Sequence, residues 1–335
     1  MFFNNYLKIE GIKPKEEISL CTVEGQNKFT FDKGILREKK VYSMNQEQSK
    51  ESFGFKWKKR DTYESDAVTS KMHNWLLEKY FANNIKNMKK IVPKGCKFLD
   101  AGCGAGFSAI ALFDTYINEI NYLGVDISEA VDTAKQRFEE KGLNGEFMQC
   151  DLGKLPFSEP VFDVIFSEGV LHHTDSTENA IKQLAKLLLP NGKFMFYVYV
   201  KKAPIREFSD DYIRKYLEDK TDEEAWEALE PLTKLGKALG DMNCIIDIPE
   251  DIPYLGVKKG SINIQRLFYW NIFKAFYDEK FSIEEMNHIN FDWYRPMNCH
   301  RQTPEEVHKW CVEAGMTIEE MKVEEAGITV IATKN

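Results

Sequence analysis

The alternation of short apolar segments with amphipathic ones constrains the fold of this 335-residue chain more than any other feature. Between residues 97 and 199, five segments with the character of buried strands are separated by segments whose apolar residues recur at helical spacing. Strands and helices alternating at this rhythm are typical of a parallel sheet that helices cover on both faces. The sequence therefore predicts an α/β fold, doubly wound around a mostly parallel sheet.

Two regions depart from this pattern. Short strands and turns precede a helix that begins near residue 66, and an acidic helical stretch interrupted by Pro231 is followed by an aromatic-rich helix around Trp270. The pattern resumes at Thr303, which has the N-cap signature of a helix, and two closing strands would form a hairpin. We expect four regions: an N-terminal extension over 1–65, a core over 66–200, a helical insertion after the fifth strand over 201–300, and a C-terminal helix and strand hairpin over 301–335.

Composition and charge exclude several classes of protein. The chain has 45 Lys and Arg residues and 53 Asp and Glu residues, which gives a net charge of −8. This charge does not favour nucleic acid as a partner, although it does not exclude a local basic patch. No apolar run approaches the roughly 18 residues of a membrane span, and Met1–Tyr6 lacks the pattern of a secretion signal. Seven scattered cysteines without a Cys-x-x-Cys pair favour a reducing cytoplasm. We therefore expect a soluble cytoplasmic protein without a metal site.

The turn after the first core strand carries the most informative motif. Asp100 closes the strand, and Gly102-x-Gly104-x-Gly106 leads into the next helix. Closely spaced glycines at this place let backbone N–H groups approach a ligand at the start of a helix. A dinucleotide fingerprint needs its third glycine where Phe107 stands, so the turn does not predict NAD binding.

Two further acids close the next two core strands. Asp126 follows the second strand, where a carboxylate can grip the diol of a ribose, and Asp151 follows the third. The carboxyl ends of parallel strands meet at one edge of a doubly wound sheet. Asp100, Asp126 and Asp151 should therefore line one crevice.

Four segments along the core form an ordered set. They are Asp-Ala-Gly-Cys-Gly-Ala-Gly at 100–106, Gly-Val-Asp-Ile-Ser at 124–128, Cys-Asp-Leu at 150–152 and Phe-Asp-Val-Ile-Phe-Ser-Glu-Gly-Val-Leu-His-His at 162–173. Together they resemble the motifs of class I S-adenosylmethionine-dependent methyltransferases, and Leu-His-His resembles the group of ubiquinone-type and small-molecule enzymes. The resemblance implies a Rossmann-like methyltransferase fold with a seven-stranded sheet. It is strong over about 90–200 and moderate over about 300–335.

The same resemblance implies S-adenosylmethionine as cofactor and S-adenosylhomocysteine as its product. The implied cofactor residues follow the core strands: Asp100 with Gly102, Cys103, Gly104 and Gly106 at the methionine end, Asp126 with the adjacent Ile127 at the ribose, Asp151 and Leu152 at the adenine, and Glu168 and Gly169 beneath the sulfonium. For the glycine turn alone, an ordinary tight turn is the alternative.

The N-terminal region shows a second resemblance. Phe31–Arg37 and Phe53–Trp57 are similar to bacterial methyltransferases of this class that carry a small zinc-ribbon-like front piece. Only Cys21 is present here, so we expect no metal. In such enzymes this region folds over the cofactor, which makes Phe55, Trp57 and Tyr63 candidates for a lid. The alternative is that these aromatic residues only anchor the segment on the core.

Candidate catalytic residues follow the fourth and fifth strands. His172 and His173 stand where the transferred methyl group should emerge, and a histidine can take a proton from a hydroxyl or amine. Tyr199, at the end of the fifth strand, should reach the same crevice. The alternative for the histidines is a helix cap or a part of the pocket wall.

The substrate-binding candidates lie in or just after the insertion. They are Trp270, Tyr294, Arg295 and Arg301. Ordinary packing and salt bridging is the alternative for the last three residues. The aromatic residues of the insertion would suit either a cover over the acceptor or a homodimer interface.

We conclude with a hypothesis of S-adenosylmethionine-dependent methylation. The acceptor would be an oxygen or nitrogen of a small metabolite or of a glycan or natural-product intermediate, with direct in-line transfer and a histidine as general base. The alternatives are S-methylation of a small thiol or thioether, methylation of tRNA or protein, and a regulatory protein that binds the cofactor without catalysis. The sequence names no acceptor.

Overall fold

One large sheet organises the chain in a computed structural model, which describes residue 6, residues 15–23 and residues 25–335. The prediction made for Met1–Tyr6, that it is no secretion signal, concerns residues outside the described ones except for Tyr6. The strands are β1 (Glu17–Thr22), β2 (Gly25–Asp32), β3 (Ile35–Glu38), β4 (Lys97–Ala101), β5 (Asn121–Asp126), β6 (Glu146–Gln149), β7 (Phe162–Glu168), β8 (Leu188–Tyr199), β9 (Ile245–Ile248), β10 (Gly260–Asn263), β11 (Met316–Val323) and β12 (Gly327–Lys334). The helices are α1 (Met44–Lys58), α2 (Asp66–Phe81), α3 (Ile85–Ile91), α4 (Phe107–Phe113), α5 (Ala130–Lys141), α6 (Thr177–Ala185), α7 (Pro204–Leu217), α8 (Asp222–Asp241), α9 (Ile264–Asn271), α10 (Ile283–Tyr294) and α11 (Pro304–Glu313).

The main sheet has the strand order β1-β2-β3-β6-β5-β4-β7-β8-β12-β11. Neighbouring strands are parallel from β3 to β8 and antiparallel at both ends, where β12 joins β8 and β2 joins β3. The five core strands and the closing hairpin confirm the predicted doubly wound, mostly parallel α/β fold. Three N-terminal strands extend these seven to ten, because β3 pairs with the edge of β6 and covers its unpaired backbone groups.

Both faces of this sheet are covered by helices. Successive residues of a strand point to opposite faces, so Leu99 and Val125 pack on the side of α6 and α11, while Phe98 and Tyr122 pack on the side of α2, α4 and α5. Burial on both faces explains why the strands read as nearly continuous apolar runs.

Two elements differ from the expectations. Helix α1 lies in a region that was expected to hold only strands and turns, and helix α8 continues through Pro231 rather than stopping there. Helix α8 begins with a capping box at Thr221, and its second half packs on α10, where Thr233 donates to Asn287 (2.6 Å). The predicted capping box at Thr303 is confirmed.

The fold brings three parts of the chain to the carboxyl edge of the parallel strands. The core contributes the ends of β4, β5, β7 and β8, the N-terminal part contributes α1, and the insertion contributes α7, α9 and α10. No helix in the described ranges is long and apolar enough to cross a membrane.

Candidate functional site

A cavity of about 500 Å³ lies at this edge of the sheet. The sequence-predicted residues that line it are Trp57, Tyr63, Asp100, Gly102, Cys103, Gly104, Asp126, Ile127, Asp151, Leu152, Glu168, Gly169, His173, Tyr199 and Trp270. Those that do not line it are Gly106, His172, Tyr294, Arg295 and Arg301. The cavity therefore joins the predicted cofactor residues to part of the predicted acceptor side.

The glycine loop is held in a conformation that side chains disfavour. Gly102 has a φ of +88°, and a Cβ there would stand 2.2 Å from a methyl carbon of Val170. Gly104 has a φ of +51° and donates its backbone N–H to the Asp126 carboxylate at 2.9 Å. The loop therefore requires glycine at both positions, and Asp126 anchors it.

Asp126 is buried, and the loops around it donate hydrogen bonds to its carboxylate. Besides Gly104, its carboxylate accepts hydrogen bonds from the Ser128 backbone N–H (2.8 Å) and hydroxyl (2.6 Å). Because these donors fix the carboxylate at the cavity wall, a ligand diol would meet a preorganised acceptor.

Replacing Asp126 with asparagine should weaken S-adenosylhomocysteine binding by about tenfold or more, as expected for losing charge-assisted hydrogen bonds. Calorimetric titration measures this affinity. The matched control is Asp132→Asn, which alters an exposed carboxylate that pairs with Arg37 on the surface of α5. Unchanged affinity in a folded Asp126→Asn variant would contradict the ribose assignment.

The wall below the loop is acidic. Burial raises the pKa of Asp100 to about 7, although the Tyr122 hydroxyl donates to its carboxylate at 2.7 Å, and the charges of Asp126 and Glu168 raise it further. Glu168 accepts from the Lys79 ammonium (2.6 Å) and the Tyr80 hydroxyl (2.5 Å). The Lys79 ammonium offsets the charge of Glu168, whereas Asp100 and Asp126 have no ion-pair partner among the described residues. These two acids suit a ligand with positive charge, such as the ammonium and sulfonium of S-adenosylmethionine, and disfavour the pyrophosphate of a dinucleotide.

Asp151 reaches the cavity but already has partners. Its carboxylate accepts from the Lys40 ammonium (2.7 Å) and the Gly153 backbone N–H (2.9 Å). Lys40 comes from the N-terminal part, so this region also contacts the predicted adenine position. The adenine role of Asp151 and Leu152 stays a prediction.

The end of α1 lies over the glycine loop. Trp57 stands so close that its Nε1 would be 2.8 Å from a Cβ on Gly104, and its ring packs edge-on against Tyr63 with centroids 5.0 Å apart. Tyr63 donates to the Trp57 carbonyl at 2.8 Å. This placement fits the predicted lid, and the same contacts also anchor α1 on the core.

The structure distinguishes the two neighbouring histidines. His173 lines the cavity, and its Nδ1–H donates to the Asn298 carbonyl at 2.7 Å, which leaves Nε2 as a buried acceptor without a partner among the described residues. Burial lowers the pKa of His173 to about 4. His172 lies behind it, outside the cavity, with its ring centroid 3.7 Å from that of Tyr199.

A buried ion pair beside His173 was missed by sequence reasoning. The Lys56 ammonium pairs with Asp292, and the Tyr199 hydroxyl donates to the other carboxylate oxygen at 3.0 Å. Burial would raise the pKa of Asp292, but the Lys56 charge holds it well below its ordinary value. The two residues are 236 positions apart in the sequence. The charge of each residue can be read from the sequence, but their pairing cannot.

Three of the four substrate-binding candidates have partners away from the cavity. Tyr294 donates to Asp210 (2.9 Å) and Arg295 donates to Asp222 (2.7 Å). Arg301 pairs with Glu207 and Asp211. Packing and salt bridging describe these positions, while Trp270 alone of the four reaches the cavity.

Metal ligands do not converge in the described parts of the chain. No group of three or more His, Cys, Asp or Glu side chains there could hold a metal ion. All seven cysteines are unpaired by disulfides, and Cys21 is exposed on β1.

Comparison with known proteins gives one family match and several partial relatives. Residues 93–237 match the family model described as a methyltransferase domain. A probable tRNA methyltransferase 9B of Bos taurus is 33% identical over 118 residues, which are 34% of this chain and 24% of that protein. A ubiquinone biosynthesis O-methyltransferase of Coxiella burnetii is 34% identical over 109 residues, 32% of this chain and 45% of that protein. The chain thus spans less than half the length of these curated relatives.

Solved structures with a similar arrangement share little sequence. Magnesium protoporphyrin IX methyltransferase from Synechocystis PCC 6803, with bound S-adenosylmethionine, has a TM-score of 0.47 and 13% identity, covering 89% of this chain and 100% of that chain. The PH0226 protein from Pyrococcus horikoshii OT3 has a TM-score of 0.43 and 17% identity, covering 83% and 98%. The family match over 93–237 contains the glycine loop, the three strand-end acids and both histidines.

Proposed function

We propose that this chain is a class I S-adenosylmethionine-dependent methyltransferase and that it methylates a small molecule in the cavity described above. Residues 93–237 match a methyltransferase domain, which supports this proposal. The observation that carries this proposal is the continuity of the cavity. One space of about 500 Å³ touches both the acidic wall at Asp100 and the aromatic residues of the insertion at Trp270. That volume is within the range of small-molecule sites.

The residues at the acidic wall suit the cofactor in chemical type. The cofactor, when bound, supplies an electrophilic methyl group on a positively charged sulfur. Asp126 would hold the ribose hydroxyls, and Asp100 and Glu168 would face the cationic end. We assign Asp151 and Leu152 to the adenine, in line with the family resemblance.

The N-terminal part and the insertion would close the cavity from two sides. Trp57 and Tyr63 would act as the lid, and residues 201–300 would cover the acceptor. Exclusion of water strengthens the electrostatic contacts that orient a substrate. A homodimer also stays a proposal, with the exposed aromatic residues Phe208, Tyr212 and Tyr216 of α7 as its candidate surface.

His173 is the residue we assign to proton removal. His173 lines the cavity, its buried Nε2 carries a free lone pair, and the Asn298 carbonyl fixes the ring tautomer. An acceptor hydroxyl or amine would pass its proton to this nitrogen as the methyl group is received. The neutral ring is the form present at neutral pH, because burial lowers the pKa of His173.

The relatives do not decide the class of acceptor, because their names include both a tRNA enzyme and a ubiquinone enzyme. The proposed acceptor class therefore depends on the cavity. The net charge of −8 and the size of the cavity support a small molecule. Incubation with labelled S-adenosylmethionine and either a metabolite extract or bulk tRNA tests this choice. Label in a small-molecule fraction supports the proposal, and label in tRNA alone overturns it.

A reducing cytoplasm is the proposed location.

S-adenosylhomocysteine should raise the melting temperature, whereas NAD should not. A ligand at 100 times its Kd stabilises the folded state by about 2.7 kcal/mol, which a thermal shift assay detects. The acidic wall and the position of Phe107 both disfavour the pyrophosphate of NAD. Stabilisation by NAD alone would contradict the methyltransferase proposal.

A further inference from the structure

Positive charge is concentrated in the insertion half of the cavity, around the indole ring of Trp293. The Lys274 and Lys202 ammonium groups lie 4.7 and 5.7 Å from the ring centroid, and the Arg206 guanidinium carbon lies 5.3 Å from it. Lys202, Arg206, Lys274 and Trp293 all line the cavity. The face of an indole ring attracts a cation but does not neutralise its charge.

The nearby carboxylates already have partners. Asp210 accepts from the Arg206 Nε (2.7 Å), the Trp293 Nε1 (2.9 Å) and the Tyr294 hydroxyl (2.9 Å). Asp292 is paired with Lys56. Neither acid forms a salt bridge with the two lysines, although the Asp210 charge attracts both and the Asp292 charge attracts Lys274.

Lys274 is the least satisfied of these cations. It is 7% exposed, and its ammonium makes no hydrogen bond or ion pair with any described residue. The Lys202 ammonium, by contrast, donates to the neutral backbone carbonyls of Glu325 and Ala326. A buried ammonium without an anion is costly. Burial accordingly lowers the pKa of Lys274 to about 8.

We propose that the methyl acceptor carries a carboxylate or phosphate group, which binds Lys274 and Lys202 beside the indole of Trp293. The inference rests on the proposed function, since it assigns an acceptor to this half of the cavity. The aromatic side chains of Tyr269 and Trp270, on the same wall, would pack against the apolar body of the acceptor. The ammonium pair recognises either anion.

Ligand titrations of the full chain saturated with S-adenosylhomocysteine test this proposal. The probes are benzoate, phenyl phosphate and neutral benzamide, followed by quenching of tryptophan fluorescence. We expect benzoate or phenyl phosphate to bind at least tenfold more tightly than benzamide, and the better of the two identifies the anion. Lys274→Met should weaken that binding at least tenfold, and Lys274→Arg should retain most of it. Equal binding of all three probes, binding of none, or no effect of Lys274→Met overturns the proposal.

The control variant is Lys237→Met, which removes an exposed lysine of α8 that pairs with Asp241. It should leave anion binding unchanged. Lys274→Met should keep or raise the melting temperature, because a buried charge is removed. A fall in melting temperature together with unchanged binding would instead assign Lys274 a purely structural role.

Failure of this inference differs from failure of the proposed function. If Lys274-dependent anion binding occurs but no acceptor is ever labelled, the methyltransferase proposal fails and the anion site stands. If a neutral acceptor is methylated with the same KM in wild type and Lys274→Met, the anion site fails and the methyltransferase proposal stands.

Discussion

Replacing His173 with alanine should lower kcat by about 10²–10⁴-fold, the usual contribution of a positioned general base. Affinity for S-adenosylhomocysteine should stay unchanged, because the His173 ring bonds the Asn298 carbonyl and not the glycine loop. Single-turnover kinetics with the identified acceptor and calorimetry with the cofactor product measure the two quantities separately.

The matched control for this prediction is His172→Phe. The His172 ring is fully buried, its two nitrogens have no partner in the described structure, and it lies outside the cavity. An apolar ring of similar shape should therefore leave kcat within a few-fold and should not lower stability. The base assignment is wrong if His172→Phe removes turnover while His173→Ala retains it.

Acidification should destabilise the protein between pH 6.5 and about 4. Burial lowers the pKa of His173 to about 4 and holds the pKa values of His172 and His288 well below their ordinary value. Each of these rings stays neutral in the folded state and takes up a proton on unfolding, so the stability that they contribute is complete above pH 6.5 and falls as the pH falls.

Asp100 acts in the opposite direction over part of this range. Its pKa is raised to about 7, so the cofactor-free folded protein holds a proton there that the unfolded chain releases above about pH 4. Burial raises the pKa of Asp126 as well. Three protons gained and at most two released leave a net uptake of about one to two near pH 5, a slope of roughly 1.4–2.7 kcal/mol per pH unit.

Urea unfolding at a series of pH values measures this slope. His172→Phe should reduce it by about 1.4 kcal/mol per pH unit, the value for one proton. A free energy of unfolding that stays constant or rises from pH 6.5 to 5 contradicts the prediction that the three histidines are neutral in the folded state.

The sequence predicts the core of this fold well because its signals are local. The N-cap signature at Thr303, for example, marks the start of α11. The strand-end acids could be located because each ends an apolar run that only a buried strand explains. The fold therefore brings Asp100 and Asp126 to one cavity, as predicted.

Helix α1 was missed because its buried face is polar. Gln46 accepts from the Asp175 backbone N–H (3.1 Å), and Ser52 donates to Asp222 (2.7 Å). Helical periodicity is recognised from apolar residues, so a helix that packs through hydrogen bonds does not show it. The partners come from α8 and from the segment after β7, which no local pattern connects to α1.

The acceptor side was predicted only in part for a related reason. A side chain's charge can be read from sequence, but its partners cannot. Arg301 and Lys274 are both basic residues near aromatic ones, yet Arg301 pairs with two carboxylates and Lys274 pairs with none among the described residues. The difference depends on contacts between α7, α9 and α10 that form only in the folded chain.

The pairing of β3 with β6 has a consequence for the order in which the molecule assembles. Arg37 and Gln149, which face each other in this parallel pair, are 112 residues apart. Closing so long a loop costs chain entropy before the contact is gained, and parallel pairing over such separations is slow. The first three strands leave the ribosome early but have no edge to join until β6 is made and placed. Trp57 follows β3 in the chain, so we expect it to settle over the glycine loop only after β6 has formed.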